Sequence, residues 1–113
     1  MLSNARVAPT LAVTDMARAR RFYEGKLGLK VEAQVAETIR YSCGAGTGLA
    51  LFERPMEPLD RTVAAFEVDD IEGEVAELRG KEVEVEGIVT LPSGVQRAFF
   101  KDPDGNIIGM RQL

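Results

Sequence analysis

At 113 residues the chain suffices for one domain and is too short for two ordinary ones. Its 45% hydrophobic and 28% charged residues suit a packed core rather than a disordered chain, and a net charge of −4 speaks against nucleic acid, which needs a basic face. The single cysteine, Cys43, excludes an internal disulfide and fits a reducing cytoplasm, while no run approaches the ~20 apolar residues of a membrane span and MLSNARVAPT lacks the apolar run of a signal peptide.

The first predicted element is the apolar strand within VAPTLAVTDM (Val7 to Met16). Asp15 closes it, placed to cap a helix in which Met16, Ala19, Tyr23 and Leu27 fall at helical spacing with Phe22 alongside; Gly28 stops the helix. Arg18, Arg20 and Arg21 form a solvated helix face beside Glu24. Strand-like runs LKVEAQV, TIRYSCG and GLALFER follow. The GAGTG turn between the last two lacks the Lys-Ser/Thr of a phosphate-binding loop and no helix follows it, so it reads as a hairpin turn. PMEPLD (Pro55 to Asp60) is the linker, since its two prolines disfavour helix and central strand alike.

The pattern then starts again. TVAAFEVDDI (Thr62 to Ile71) matches the opening segment at an offset of 55, with Val13 on Val68, Asp15 on Asp70 and Met16 on Ile71. Ile71, Val75 and Leu78 mark a helical stripe stopped by Gly80, and the runs VEVEG, VQRAFFK and NIIGMRQL follow as strands. LPSG (Leu91 to Gly94) and DPDGN (Asp102 to Asn106) supply turns. Strand, helix and three strands occur twice, which predicts an α+β fold with one module over 5–54, a linker over 55–60 and a second module over 61–113.

LAVTDMARARRFYEGKLGLKV resembles the first module of the vicinal oxygen chelate superfamily, the group of glyoxalases, bleomycin-resistance proteins and extradiol dioxygenases. FEVDDIEGEVAELRGKEVEV and FFKDPDGNIIGM resemble its second module. The resemblance implies two βαβββ modules side by side, their sheets curved into one open mixed-sheet cup with the helices outside. It also implies a homodimer, the cup in several members being completed across the dimer. In the enzymes four side chains, usually His, Glu and Gln, hold one divalent metal. Carried onto this chain, the first-strand positions, seven residues before each helix-opening Asp, are Ala8 and Val63. The DPDGN-x-x-Glu position is Gly109, and matching GLAL to IIGM gives Ala50 as its counterpart. None of the four has a donor side chain, histidine is absent throughout, and Glu53 or Glu67 would add at most one or two carboxylates. No metal and no other cofactor are therefore expected, and metal-dependent glyoxalase or dioxygenase chemistry is disfavoured.

Strand alternation sorts the cup's lining. Ala8, Thr10 and Ala12 face inward on the first strand, and Gly48, Ala50 and Phe52 on the fourth. Val63, Ala65 and Glu67 do so on the fifth, and Ile107, Gly109 and Arg111 on the last. Tyr41, Phe52 and Phe99 offer flat surfaces to an aromatic guest, with Glu67 and Arg111 as polar handles near the mouth. The same residues also admit plainer readings: Phe52 and Phe99 as core, Tyr41 as a cross-strand packing residue, Glu67 and Arg111 as a mutual ion pair or solvent-facing, Cys43 as a buried inert thiol. The leading expectation is metal-independent binding and sequestration of a small apolar or aromatic molecule, as in antibiotic resistance. The alternatives are a metal-free lyase- or isomerase-like enzyme using Glu67, buried among Val63, Ala65 and Phe52, as acid or base, and a dimerisation module with a filled cup.

Overall fold

The strand β1 (Thr10–Val13) opens the fold by burying Leu11 and Val13 and leaving Thr10 exposed, the alternation its sequence carries. It runs parallel to β4 (Gly48–Glu53), which pairs antiparallel with β3 (Thr38–Ser42), and β3 pairs with β2 (Lys30–Val35). The resulting sheet has the order β1-β4-β3-β2. This computed structural model describes residues 1–35, 37–57 and 59–113, so Pro58, one of the two linker prolines, lies outside the described residues. The chain divides into two units at the linker, Met1–Glu57 and Pro58–Leu113.

The helical segment of the first unit differs from the expected uniform helix. α1 (Met16–Arg20) passes directly into a π-helical turn over Arg21–Lys26, in which the Leu27 N–H reaches the Phe22 carbonyl. Phe22 and Tyr23, adjacent in this wider turn, are both buried in the core. Tyr23 stacks on Tyr41 of β3 (centroids 6.1 Å apart) and meets Phe22 edge-on (5.2 Å). With Ala19, Ile39, Leu49 and Leu51 they form the core on one face of the sheet. Gly28 ends the segment at φ +74°, a conformation that suits glycine.

The second unit repeats the plan. β5 (Thr62–Glu67) runs parallel to β8 (Ile107–Gln112), followed by β7 (Gln96–Lys101) and β6 (Val89–Thr90), in the order β5-β8-β7-β6. α2 (Ile71–Gly80) packs Ile71, Val75 and Leu78 into a core shared with Ala98, Phe100, Ile108 and Met110. VEVEG, expected as a strand, makes one isolated bridge (Val85 with Phe100), and the strand that pairs with β7 is the later Val89–Thr90. Val83 and Val85 do point into the core, which is why the alternation reads as strand. The segment leaves α2 through Glu82 at φ +65°, and Arg79 Nη2 takes the Val85 carbonyl (2.9 Å), so no continuous ladder forms there.

The helix starts are built alike. Asp15 Oδ1 accepts from the Arg18 N–H and Asp70 Oδ1 from the Gly73 N–H, each at 3.1 Å. The next free N–H in each helix is taken by the end of the parallel strand beside it: Met16 donates to Glu53 Oε2 (3.0 Å) and Ile71 to Gln112 Oε1 (2.7 Å). The DPDGN turn closes on the buried Asp102. Its carboxylate accepts from the Asp104 N–H (3.0 Å), the Asn106 N–H (2.8 Å) and Asn106 Nδ2 (2.8 Å). No helix among the described residues is long and apolar enough to cross a membrane.

Candidate functional site

Each sheet has one face packed on its own helix and one free of it, and the strand register fixes which residues share the helix-free face. In the first unit Thr10 pairs with Ala50 and Ala12 with Phe52, while Arg40 lies opposite Ala50 and Thr38 opposite Phe52. These form the helix-free face. Ala8 precedes the strand proper and lies by Gly48, where an added Cβ would sit 3.8 Å from the Ala8 methyl and 3.6 Å from the Arg6 guanidinium. Arg6 forks onto Glu32 at 2.9 and 3.3 Å, and the Arg54 guanidinium stands 5.6 Å from the centre of the half-buried Phe52 ring.

Tyr41 is not on this face. It pairs with Leu49, on the helix-covered side, and is wholly buried. Its hydroxyl donates to Glu24 Oε2 (2.9 Å), a carboxylate also forked by Arg20 at 2.6 and 3.2 Å. Burial, with the Glu24 carboxylate beside it, pushes the Tyr41 phenol well above its ordinary range. The Arg20 hydrogen bonds, helped by the Tyr41 hydroxyl and opposed by burial, hold the Glu24 carboxyl below its own. Tyr41 thus fastens helix to sheet and offers no surface to a guest. Cys43 is half-buried and its thiol pKa is raised by burial, the opposite of an activated nucleophile.

In the second unit Ala65 pairs with Gly109 and Glu67 with Arg111, while Phe99 lies opposite Gly109 and Arg97 opposite Arg111. Val63 falls in a bulge of β5 between the pairs Thr62–Ile107 and Ala64–Ile108. The missing side chain of Gly109 has a definite structural use. A Cβ there would lie 3.3 Å from the Phe99 ring and 3.6 Å from the Ala65 methyl, so the ring occupies the place of a side chain. The Arg97 guanidinium stands 5.6 Å from the centre of that ring. Arg111 and Glu67 approach to 3.6 Å with half and two-thirds of their side chains exposed (50% and 66%). The buried acid or base expected at Glu67 is therefore an exposed member of an ion pair.

The register also relates the halves by sequence position. Thr10 and Ala65, one repeat offset apart, pair with Ala50 and Gly109 respectively, and Glu53 and Gln112 perform the same capping task. A divalent metal does not fit the four positions that the resemblance assigns to it, which carry methyl, methyl, isopropyl and hydrogen at Ala8, Ala50, Val63 and Gly109. Glu53 is engaged by the Met16 N–H, and Glu67 is an exposed carboxylate beside Arg111, which leaves no set of donors around one point. Among the described residues no three of His, Cys, Asp or Glu gather where a cation could be held. Sequence reasoning missed Arg97 and Arg54. Alternation from Phe99 and from Phe52, two residues away in each case, would have found both.

A family model described as Glyoxalase/Bleomycin resistance protein/Dioxygenase superfamily matches residues 5–110. The curated proteins offer no match. Among solved structures, a glyoxalase/bleomycin resistance protein from Streptomyces sp. CB03234 is 29% identical (TM-score 0.75, 94% of this chain and 100% of that one). TnmS3, an antibiotic binding protein from the same organism, is 25% identical (TM-score 0.76, 96% and 97%). Lactoylglutathione lyase from Agrobacterium tumefaciens shares the fold at 21% identity (TM-score 0.79, 96% and 93%). The doubled βαβββ plan, the matched helix caps and the family match over nearly all of the sequence lead to one statement of kinship: the chain belongs to the glyoxalase/bleomycin resistance protein/dioxygenase superfamily.

Proposed function

We propose that the chain binds and sequesters a small apolar or aromatic molecule without a metal, through the helix-free faces of its sheets. One observation supports the reading: the helix-free faces keep Phe52 and Phe99 half-buried among small residues, and the four positions that the resemblance assigns to the family's metal carry no donor. Sequestration needs affinity and no stabilisation of a transition state, so such a surface suffices. The likeness to an antibiotic binding protein of Streptomyces supports the same reading. The exposure of Glu67 and its pairing with Arg111 weigh against Glu67 as an acid or base. We place the protein in the cytoplasm as a homodimer, a state that light scattering on the purified protein tests directly.

N-Phenyl-1-naphthylamine, a neutral aromatic fluorophore, tests the binding claim. Metal-stripped protein is expected to bind it saturably and with unchanged affinity after EDTA treatment. Binding that requires an added divalent metal, or no saturable binding, overturns the proposal.

A further inference from the structure

We propose that the helix-free face of the second sheet selects ligands bearing an anionic oxygen group, held between Arg97 and Arg111 beside the Phe99 ring. The inference rests on the sequestration reading and names the class of molecule sequestered: an aromatic carrying a carboxylate, sulfonate or comparable oxyanion.

The starting point is an unfavourable pairing. Arg97 and Arg111 are direct cross-strand partners on the same face of the antiparallel β7–β8 pair. Like charges so placed repel, with Cβ atoms about 5 Å apart. Residues 58–113 hold twelve Asp or Glu against six Lys or Arg, so acids are abundant in this half. Yet β7 and β8 contain no acid and three cations: Arg97, Lys101 and Arg111. The repulsion is offset in part from β5, where Glu67 stands 3.6 Å from Arg111. One carboxylate against two guanidinium groups leaves the row of Glu67, Arg111 and Arg97 with one positive charge in excess. Both members of the ion pair are half exposed or more, so it is weak and open to exchange. Glu86 lies across β7 from Arg111, its N–H on the Phe99 carbonyl (3.1 Å), and faces the same side as Phe99 and Arg97 at the far edge of the row.

The geometry then supplies an aromatic floor next to the charge. Phe99 lies over Gly109, which leaves the ring space, and Arg97 extends over that ring at 5.6 Å. A guest ring packing against Phe99 brings a substituent to the neighbouring row, where two planar guanidinium groups present paired donors suited to an oxyanion. An anion there relieves the Arg97–Arg111 repulsion and competes with Glu67 for Arg111.

The test compares 8-anilinonaphthalene-1-sulfonate with N-phenyl-1-naphthylamine, the same fluorophore without the sulfonate, on the intact protein. The sulfonate is expected to bind at least about tenfold tighter at low salt, the size of one charge-assisted hydrogen-bonded contact, and to lose much of that advantage at high salt. Arg97→Gln and Arg111→Gln are each expected to erase most of the advantage, read in each variant as the ratio of its affinities for the two probes. Glu67→Gln is expected to tighten the sulfonate a few-fold. Near-UV circular dichroism checks that each surface variant retains native packing. Equal binding of both probes overturns the anion inference and leaves sequestration standing. Binding of neither overturns both. A sulfonate preference that survives both arginine substitutions overturns the placement on this face.

Discussion

At the scale of single residues, Gly109 and Asp102 show how different the jobs within one short stretch can be. The resemblance assigns Gly109 to the position of a metal-binding carboxylate in the family's enzymes, and from the sequence its missing side chain suggests room for a ligand. The structure fills that room with the Phe99 ring, 3.3 Å from any added Cβ. Gly109→Ala is therefore expected to cost about 1 kcal/mol by overpacking, and Phe99→Leu in the same chain to recover part of it. Urea titrations of the two single variants and the double variant check this through their coupling energy. The DPDGN turn was legible from its residue types, since Asp, Gly and Asn each favour turns for separate reasons. Its anchor was not legible: Asp102 is buried and accepts three hydrogen bonds from Asp104 and Asn106. Asp102→Ala is expected to lose about 3 kcal/mol, because it strands buried donors as well as deleting an acceptor, with Asp102→Asn in between.

At the scale of elements, the repeat made the helix starts readable, because an Asp ahead of an apolar helical stripe is a local signal. The second half of each cap was not readable, because Glu53 and Gln112 lie far along the chain and reach Met16 and Ile71 only once β1 and β4, or β5 and β8, are paired. The π-helical turn escaped for a related reason. Met16, Ala19, Tyr23 and Leu27 fit an ordinary helix, and the wider turn shows only in the bond from the Leu27 N–H to the Phe22 carbonyl, five residues back. VEVEG failed in the other direction: its alternation is real, but the Val83 N–H turns back to Leu78 and the Val85 carbonyl to Arg79, leaving a single bridge to β7. The caps give a matched pair of expectations. Asp15→Ala and Asp70→Ala should each cost about 1 kcal/mol. Gln112→Ala should cost a similar amount by freeing the Ile71 N–H, although no sequence-local rule marks it as a cap. Thermal and urea unfolding of the three variants checks the equivalence.

At the scale of the whole molecule, one contact between helix and sheet contributes to the response of stability to pH on both flanks. Tyr41 and Glu24 share a hydrogen bond at 2.9 Å; burial first and this bond second raise the Tyr41 phenol, while Arg20 first and this bond in a smaller part lower the Glu24 carboxyl. Glu24 titrates lower when folded than its unfolded value of about 4.3, so its contribution is complete above that pH and is lost as pH falls through the folded pKa. Tyr41 titrates higher when folded than its unfolded value of about 10, so its contribution is complete below that pH and is lost as pH rises toward the folded value. The contact therefore stabilises over a plateau between the two unfolded values and weakens on both flanks. Tyr41→Phe keeps the buried ring and removes only the hydroxyl, so it should cost about 1 kcal/mol on the plateau. The gap between wild type and variant should narrow below pH 4 and again above pH 10. The acid flank should be the shallower one, because Arg20 and Glu24 are partly exposed and solvent screens them. Urea unfolding of both proteins from pH 3 to pH 11 measures the gap directly. A gap that stays constant across that range would mean that the hydroxyl stabilises by filling space, with the Glu24 charge playing no part.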